Sequence, residues 1–227
     1  SRRQRQMCIR DRFMATSRGT VKKTALEAFS RPRTNGIIAV DLRAGDKLVD
    51  VAITDGQNEI MLYASSGKAI RFKESDVRVM GRGAAGVRGI RVAEDHEVIA
   101  LIIIGDGEVL TASEHGYGKR TPVSEFSTQG RGGQGVIAIQ TSDRNGRMVS
   151  ACQVNNDDEV MLISSAGTLV RTPVDDISTQ GRNTQGVRLI RMSDNERLVG
   201  LDRIVTLHGD AELAGDDSEG TEEVAEE

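Results

Sequence analysis

The residues of this chain best suited to chemistry are arginines set in glycine-rich loops: GRGAAG (Gly81 to Gly86), GRGGQG (Gly130 to Gly135) and GRNTQG (Gly181 to Gly186). The first two satisfy G-x-G-x-x-G, whose glycines let a backbone approach a pyrophosphate that a following helix N-terminus then holds. Here the stretch after Gly86 is VRGIRVAEDHEVIALIIIGDG, rich in β-branched residues, interrupted by Gly89 and lacking a helical stripe. Asp106 stands where a ribose-binding acid would be expected, but it belongs to a GDG turn. Three near-copies of one loop are better explained as a structural turn than as three cofactor sites. What the turn carries is a cation: Arg82, Arg131 and Arg182 share one position, and Arg31 and Arg33 flank Pro32 at the corresponding place. A guanidinium beside a small loop suits a phosphate group.

The other reactive side chains form no constellation. Tyr63 lies in the strand-like MLYAS and Tyr117 in a Gly-flanked loop, so both are read as packing residues. His96, His115 and His208 have no metal-ligand spacing, and Cys8 and Cys152 are too far apart in sequence to suggest a disulfide framework or metal site. No catalytic residue, metal ligand or cofactor site is assigned to this chain.

The elements that position the loops emerge on sliding the sequence against itself. FMATSRGTVKKT, IMLYASSGKAIRF, VLTASEHGYGKRT and VMLISSAGTLVRT align, which puts Lys23, Arg71, Arg120 and Arg171 at one position and Gly36, Gly86, Gly135 and Gly186 at another. Four repeats of about 50 residues indicate a propeller-like array. In the third repeat VLTAS, GKRTPV, GVIAIQ and MVSACQV read as short strands, one four-stranded blade per repeat. VMLIS reads as an inner strand covered on both faces; KAIRFKE alternates, with Ile70 and Phe72 toward the core and Arg71 and Lys73 toward a partner.

Composition agrees with an all-β fold: 25 glycines and three prolines suit many strands joined by tight turns, and without Trp the core falls to aliphatic side chains. The chain divides into a leader, residues 1–12, with five Arg and matching no part of the repeat; repeats at about 13–58, 59–108, 109–159 and 160–208; and a tail, residues 209–227, with nine acidic residues and no Lys or Arg. Leader and tail are expected to be disordered, the leader being an arm or a non-native junction. Cysteine usage and the lack of a signal peptide or bilayer-spanning run point to a cytosolic chain. The net charge of −4 averages an acidic tail with a nearly neutral body, so affinity for a polyanion depends on where the cations sit.

The strings FMATSRGTVKKT, GKAIRFKESDVRVMG, ASEHGYGKRTPV, GTLVRTPV and GRNTQGVRLIR, in this order and followed by an acidic tail, resemble the DNA gyrase A C-terminal domain family from Phe13 to about Leu207. The resemblance implies a β-pinwheel, an open or spiral array of about four four-stranded blades, where the family's full domain has about six. Its outer rim would bind and bend double-stranded DNA. The family's hallmark box QRRGGKG has its nearest echo in QGRGGQG (Gln129 to Gly135), where Gly130 and Gln134 replace two cations.

With at least two cations per repeat, the candidate contacts are Lys22, Lys23, Arg31, Arg33, Lys68, Arg71, Lys73, Arg82, Arg88, Lys119, Arg120, Arg131, Arg171, Arg182 and Arg188. Eight repeated contacts would give a salt slope of about −7. The resemblance also implies a monomeric, non-catalytic fragment of a nucleoid-associated parent, the DNA gyrase heterotetramer. There, the rest of the gyrase A polypeptide and the gyrase B polypeptide, with ATP and Mg, perform negative supercoiling. The acidic tail reads as a solubilising extension or, in a sharper hypothesis, as a competitor of DNA for the rim. Two rival readings are the equivalent C-terminal domain of topoisomerase IV, and a propeller scaffold that binds proteins.

Overall fold

The computed structural model describes residues 10–193 and 195–204; the tail and most of the leader, with their expected disorder and competition, lie outside these. The first repeat forms β1 (Asp11–Thr16), β2 (Thr20–Ala25) and β3 (Leu48–Thr54). The second forms β4 (Glu59–Ala64), β5 (Lys68–Lys73), β6 (Val87–Arg88) and β7 (Val98–Ile103). In the third are β8 (Glu108–Ser113), β9 (Tyr117–Pro122), β10 (Val136–Ile137) and β11 (Met148–Val154). The fourth has β12 (Glu159–Ser164), β13 (Leu169–Pro173), β14 (Val187–Arg188) and β15 (Leu198–Ile204). Asp11 and Arg12, grouped by the sequence with the leader, are thus strand residues. A 3-10 turn follows the second strand of each repeat, at Leu26–Phe29, Glu74–Asp76, Val123–Glu125 and Val174–Asp176.

The repeats do not build one blade each. The sheet orders are β3-β1-β2-β6, β7-β4-β5-β10, β11-β8-β9-β14 and β15-β12-β13, so each complete blade takes its outer strand from the following repeat. GVIAIQ, read as part of the third blade, pairs with the second: Val136 opposes Ala69 and Ile137 opposes Lys68. The fourth blade has three strands among the described residues, not four. A two-residue strand leaves no periodicity by which sequence could assign its partner.

β3, β7, β11 and β15 contact one another in series and line the centre. β12, which contains VMLIS, sits between β13 and β15 and so is an inner strand of its sheet, but only its Val160, Leu162 and Ser164 face is buried, the other being half-buried. The donated strands, and the glycine loops leading into them, occupy the perimeter.

Three cores fill the spaces between blades. Ile60, Leu62, Ile70 and Phe72 of the second blade meet Phe13 and Val21 of the first. Its other face presents Met61, Tyr63 and Ala69 to Val109 and Phe126 of the third repeat. The third and fourth repeats join through Leu110, Ala112, Val160, Leu162 and Ile177. The partner expected opposite the polar face of KAIRFKE is therefore the next repeat. Period-2 alternation tells two faces apart but not solvent from a neighbouring sheet.

Close approach accounts for the final loop glycines. Gly86, Gly135 and Gly186 have positive φ, and a Cβ on them would lie 2.5, 2.3 and 2.5 Å from the carbonyl oxygens of Val21, Ala69 and Gly118 on the preceding blade. The loop needs glycine to lie against protein backbone, and a two-residue strand follows it, with no helix.

Candidate nucleic-acid interface

The two cation series expected on the rim separate in space. Lys23, Arg71 and Arg120 point sideways into the next repeat. Lys23 Nζ lies 3.4 Å from the Glu74 carboxylate and 3.9 Å from Asp11. Arg71 donates to the carbonyls of Val123 and Phe126 at 3.0 and 2.9 Å and pairs with Glu59. Arg120 donates to the Ile177 carbonyl at 2.6 Å and lies 3.5 Å from Glu108. The carbonyls lie at the 3-10 turns, and Asp11, Glu59, Glu108 and Glu159 recur at the starts of the first strands of their repeats. Side-chain exposure is 7% for Lys23, 18% for Arg71 and 8% for Arg120, so these cations join blades and have little surface to offer DNA. Arg171, with no next repeat beyond it among the described residues, is 57% exposed and pairs with Glu159.

Lys22 and Lys119 are also buried, contrary to their expected role. Lys22 donates to the carbonyls of Ala39 and Arg82, and Lys119 to those of Gly181 and Arg182, so each holds a rim loop from beneath. The equivalent residue of the second blade is Ile70, which packs its Cδ1 under Gly133. Burial, aided by the nearby Arg182 charge, lowers the Lys119 pKa to about 8; burial and then Arg82 lower that of Lys22. Because the folded Lys119 value is below the ordinary 10.5, the unfolded chain binds this proton more tightly, and stability from this group rises between about pH 8 and 10.5. Comparing wild type with Lys119→Met by thermal melts on either side of pH 8 should show the wild type gaining at the higher pH.

The loop arginines remain at the perimeter in a repeated arrangement. Arg82 donates to the Ile38 carbonyl at 3.0 Å, Arg131 to that of Arg88 at 3.1 Å and Arg182 to that of Ile137 at 2.9 Å. These acceptors are equivalent, each two residues past the last glycine of the preceding loop, so successive loops are stitched together. A guanidinium has five N–H donors, so Arg82 and Arg182, with one such bond each, and Arg131, which also donates to Asp76, retain donors for an anion. The outermost strand pairs add Arg88 across from Thr20, Lys68 across from Ile137 and Arg188 across from Tyr117. Arg31, Arg33 and Lys73 are exposed.

Sequence reasoning missed Arg91 and Arg191, both exposed and following equivalent isoleucines; GVRGIR and GVRLIR contain the signal. It also missed a cluster at the third blade. Arg188 donates to the Tyr117 hydroxyl at 3.0 Å, and Arg144 and Arg188 lie 5.0 and 5.5 Å from the ring centroid. The hydrogen bond from Arg188, then that from Arg144, lowers the Tyr117 pKa. Arg144 belongs to a one-residue insertion in the third repeat, so a search for recurring positions passes over it. Tyr63, by contrast, is buried edge-on to Phe126, and burial raises its pKa well above the ordinary value.

The model of the family described as DNA gyrase C-terminal domain, β-propeller, matches residues 13–55, 58–104, 107–155 and 158–204, one match per repeat. The chain belongs to this family. The sequence of this gyrase C-terminal domain is 58% identical over 193 residues to the DNA gyrase A polypeptide of Pseudomonas aeruginosa, covering 85% of the chain and 21% of the relative. It is 53% identical over 219 residues to the DNA gyrase A polypeptide of Salmonella typhimurium, covering 95% and 25%. The chain thus spans about a fifth to a quarter of the curated relatives it matches. A solved DNA gyrase A C-terminal domain superimposes with a TM-score of 0.78 at 26% identity, over 87% of this chain and 67% of that one. A solved C-terminal domain of DNA topoisomerase IV gives 0.81 at 26% identity, over 86% and 62%. Among the described residues no helix is long and apolar enough to cross a membrane.

Proposed function

We propose that this domain is a non-catalytic DNA-binding and DNA-bending module that guides a duplex along its outer loops. The observation carrying this reading is the stitched series Arg82, Arg131 and Arg182, in which each arginine is fixed by the preceding loop and keeps donors for phosphate. Arg88, Lys68 and Arg188 lie beside these loops on the outermost strand pairs and extend the track. Contacts of this type fix the position of a backbone without reading bases, so sequence preference should follow bendability. Smoothly bending 20 to 30 base pairs costs on the order of 1 to 6 kcal/mol, which several charge-assisted contacts offset.

In a parent gyrase, a duplex curved around the domain would return to the strand-passage gate with fixed handedness. Directional negative supercoiling would follow, driven by ATP and Mg chemistry in the rest of the gyrase A polypeptide and in gyrase B. The experiment is a titration of short linear duplex at several salt concentrations. Six rim contacts give an expected slope of about −5, shallower than the −7 expected when the buried cations are counted. Salt-independent binding, or none, would remove the proposal.

A further inference from the structure

The two buried lysines under the rim do more than hold their loops in place. Lys119 Nζ takes the carbonyls of two successive residues, Gly181 and Arg182, and Lys22 Nζ takes that of Arg82. Both lysines are buried, so these carbonyls point into the protein. None of the described peptide bonds is cis, and a trans peptide sets its N–H opposite its carbonyl. The N–H groups of Arg182, Asn183 and Gly83 therefore point out from the perimeter, and among the described residues none of the three meets an acceptor.

The second blade shows what happens without the lysine. Ile70 stands where Lys22 and Lys119 do and offers no donor to the loop above it. There Gly132, equivalent to Gly83 and Asn183, has a φ of +83° and turns its N–H back to the Gly89 carbonyl at 2.6 Å. Gly132 is half-buried, whereas Gly83 and Asn183 are exposed. Gly83 has no left-handed φ, and a Cβ on it would meet nothing within 4 Å, so packing inside the domain does not account for a glycine there. Its bare backbone leaves the N–H uncovered.

We propose that the first and third loops are backbone phosphate sites aimed from beneath by Lys22 and Lys119. In the third loop two successive carbonyls share one ammonium, so the N–H groups of Arg182 and Asn183 face the same way and form a concave nest of the kind that binds anions. Gly83 supplies the corresponding N–H in the first loop. The ammonium behind each peptide polarises it and strengthens its N–H as a donor. The lysines are positioning residues and do not touch the anion. This inference rests on the reading of the rim as a DNA track, and the phosphate is that of the duplex backbone.

The test follows the backbone amides of the full chain by proton–nitrogen correlation spectra during titration with a short linear duplex at low salt, with fluorescence anisotropy reporting binding. The amide protons of Gly83, Arg182 and Asn183 should move downfield, as an N–H does on gaining an acceptor, and that of Gly132, already bonded, should not. Duplex that binds without these shifts overturns the proposal and leaves the DNA track standing; duplex that does not bind at all removes both. Arg182→Ala separates backbone from side chain. At saturating duplex its Asn183 amide should still move downfield, and loss of that shift assigns the contact to the guanidinium and overturns the site. Lys119→Ile copies the second blade. It should lose the Asn183 shift, keep the Gly83 shift aimed by Lys22, and bind duplex about tenfold more weakly, the scale of one charge-assisted hydrogen bond. A folded Lys119→Ile that keeps either the Asn183 shift or the wild-type affinity overturns the role of Lys119. The wild-type and Arg182→Ala titrations decide the site however that variant folds.

Discussion

Replacing Arg82, Arg131 and Arg182 together by alanine is expected to weaken duplex binding roughly 500-fold at 0.1 M salt and to flatten the salt slope from about −5 to about −3. Both figures follow from counterion release. Each phosphate contact contributes about −0.9 to the slope, which at 0.1 M corresponds to roughly eightfold in affinity relative to 1 M. The three guanidiniums are perimeter groups whose protein bonds go to carbonyls of neighbouring loops, so their loss should leave the blade cores intact. Fluorescence anisotropy across salt concentrations, with thermal melts as a folding control, reads both quantities. A triple variant that binds with wild-type affinity and slope would move the DNA path off these loops.

Glu74→Val should lower stability by about 3 to 5 kcal/mol, the usual cost of breaking a buried ion pair, and the melting temperature by roughly 10 °C. Glu74 is fully buried, accepts hydrogen bonds from Thr54, Gly56 and Asn58, and faces Lys23. Val123 and Val174 occupy the equivalent place at the other junctions, where arginine reaches the turn carbonyls and a glutamate directly. At the first junction both Asp11 and Lys23 are shorter than their counterparts, and Glu74 fills the gap between them. The triple variant Asp11→Glu, Lys23→Arg, Glu74→Val recreates the arrangement of the other junctions and should recover most of the loss. Differential scanning calorimetry decides; if the triple variant melts no higher than Glu74→Val, the cationic staple is not the common element.

The repeat period, the strand-rich units and the positions of the loops were all legible, because glycine spacing and β-branched runs are local signals. The role of Lys22 and Lys23 was not. Residue type reveals a charge, but whether solvent or the 3-10 turn of the next repeat meets it depends on how blades stack about 50 residues away. Arg82, Arg131 and Arg182 lie on loops that cross the perimeter, where no further layer of the described residues covers them. Val136 and Ile137 were recognised as strand-forming yet assigned to the wrong blade, since a donated strand has the same composition as a retained one. The recurring acids Asp11, Glu59, Glu108 and Glu159 were readable at the repeat period, and they would have identified the neutralised cation series.

The outer strand of every complete blade is anchored in its neighbour's repeat. In the proposed complex a curved duplex would recoil outward and pull on the loops that grip it, and each loop would pass that pull through its short strand into the adjoining sheet. The rim would then work as overlapping shingles under hoop tension: load placed on one blade would be shared with the next, so that no complete blade could be peeled away alone.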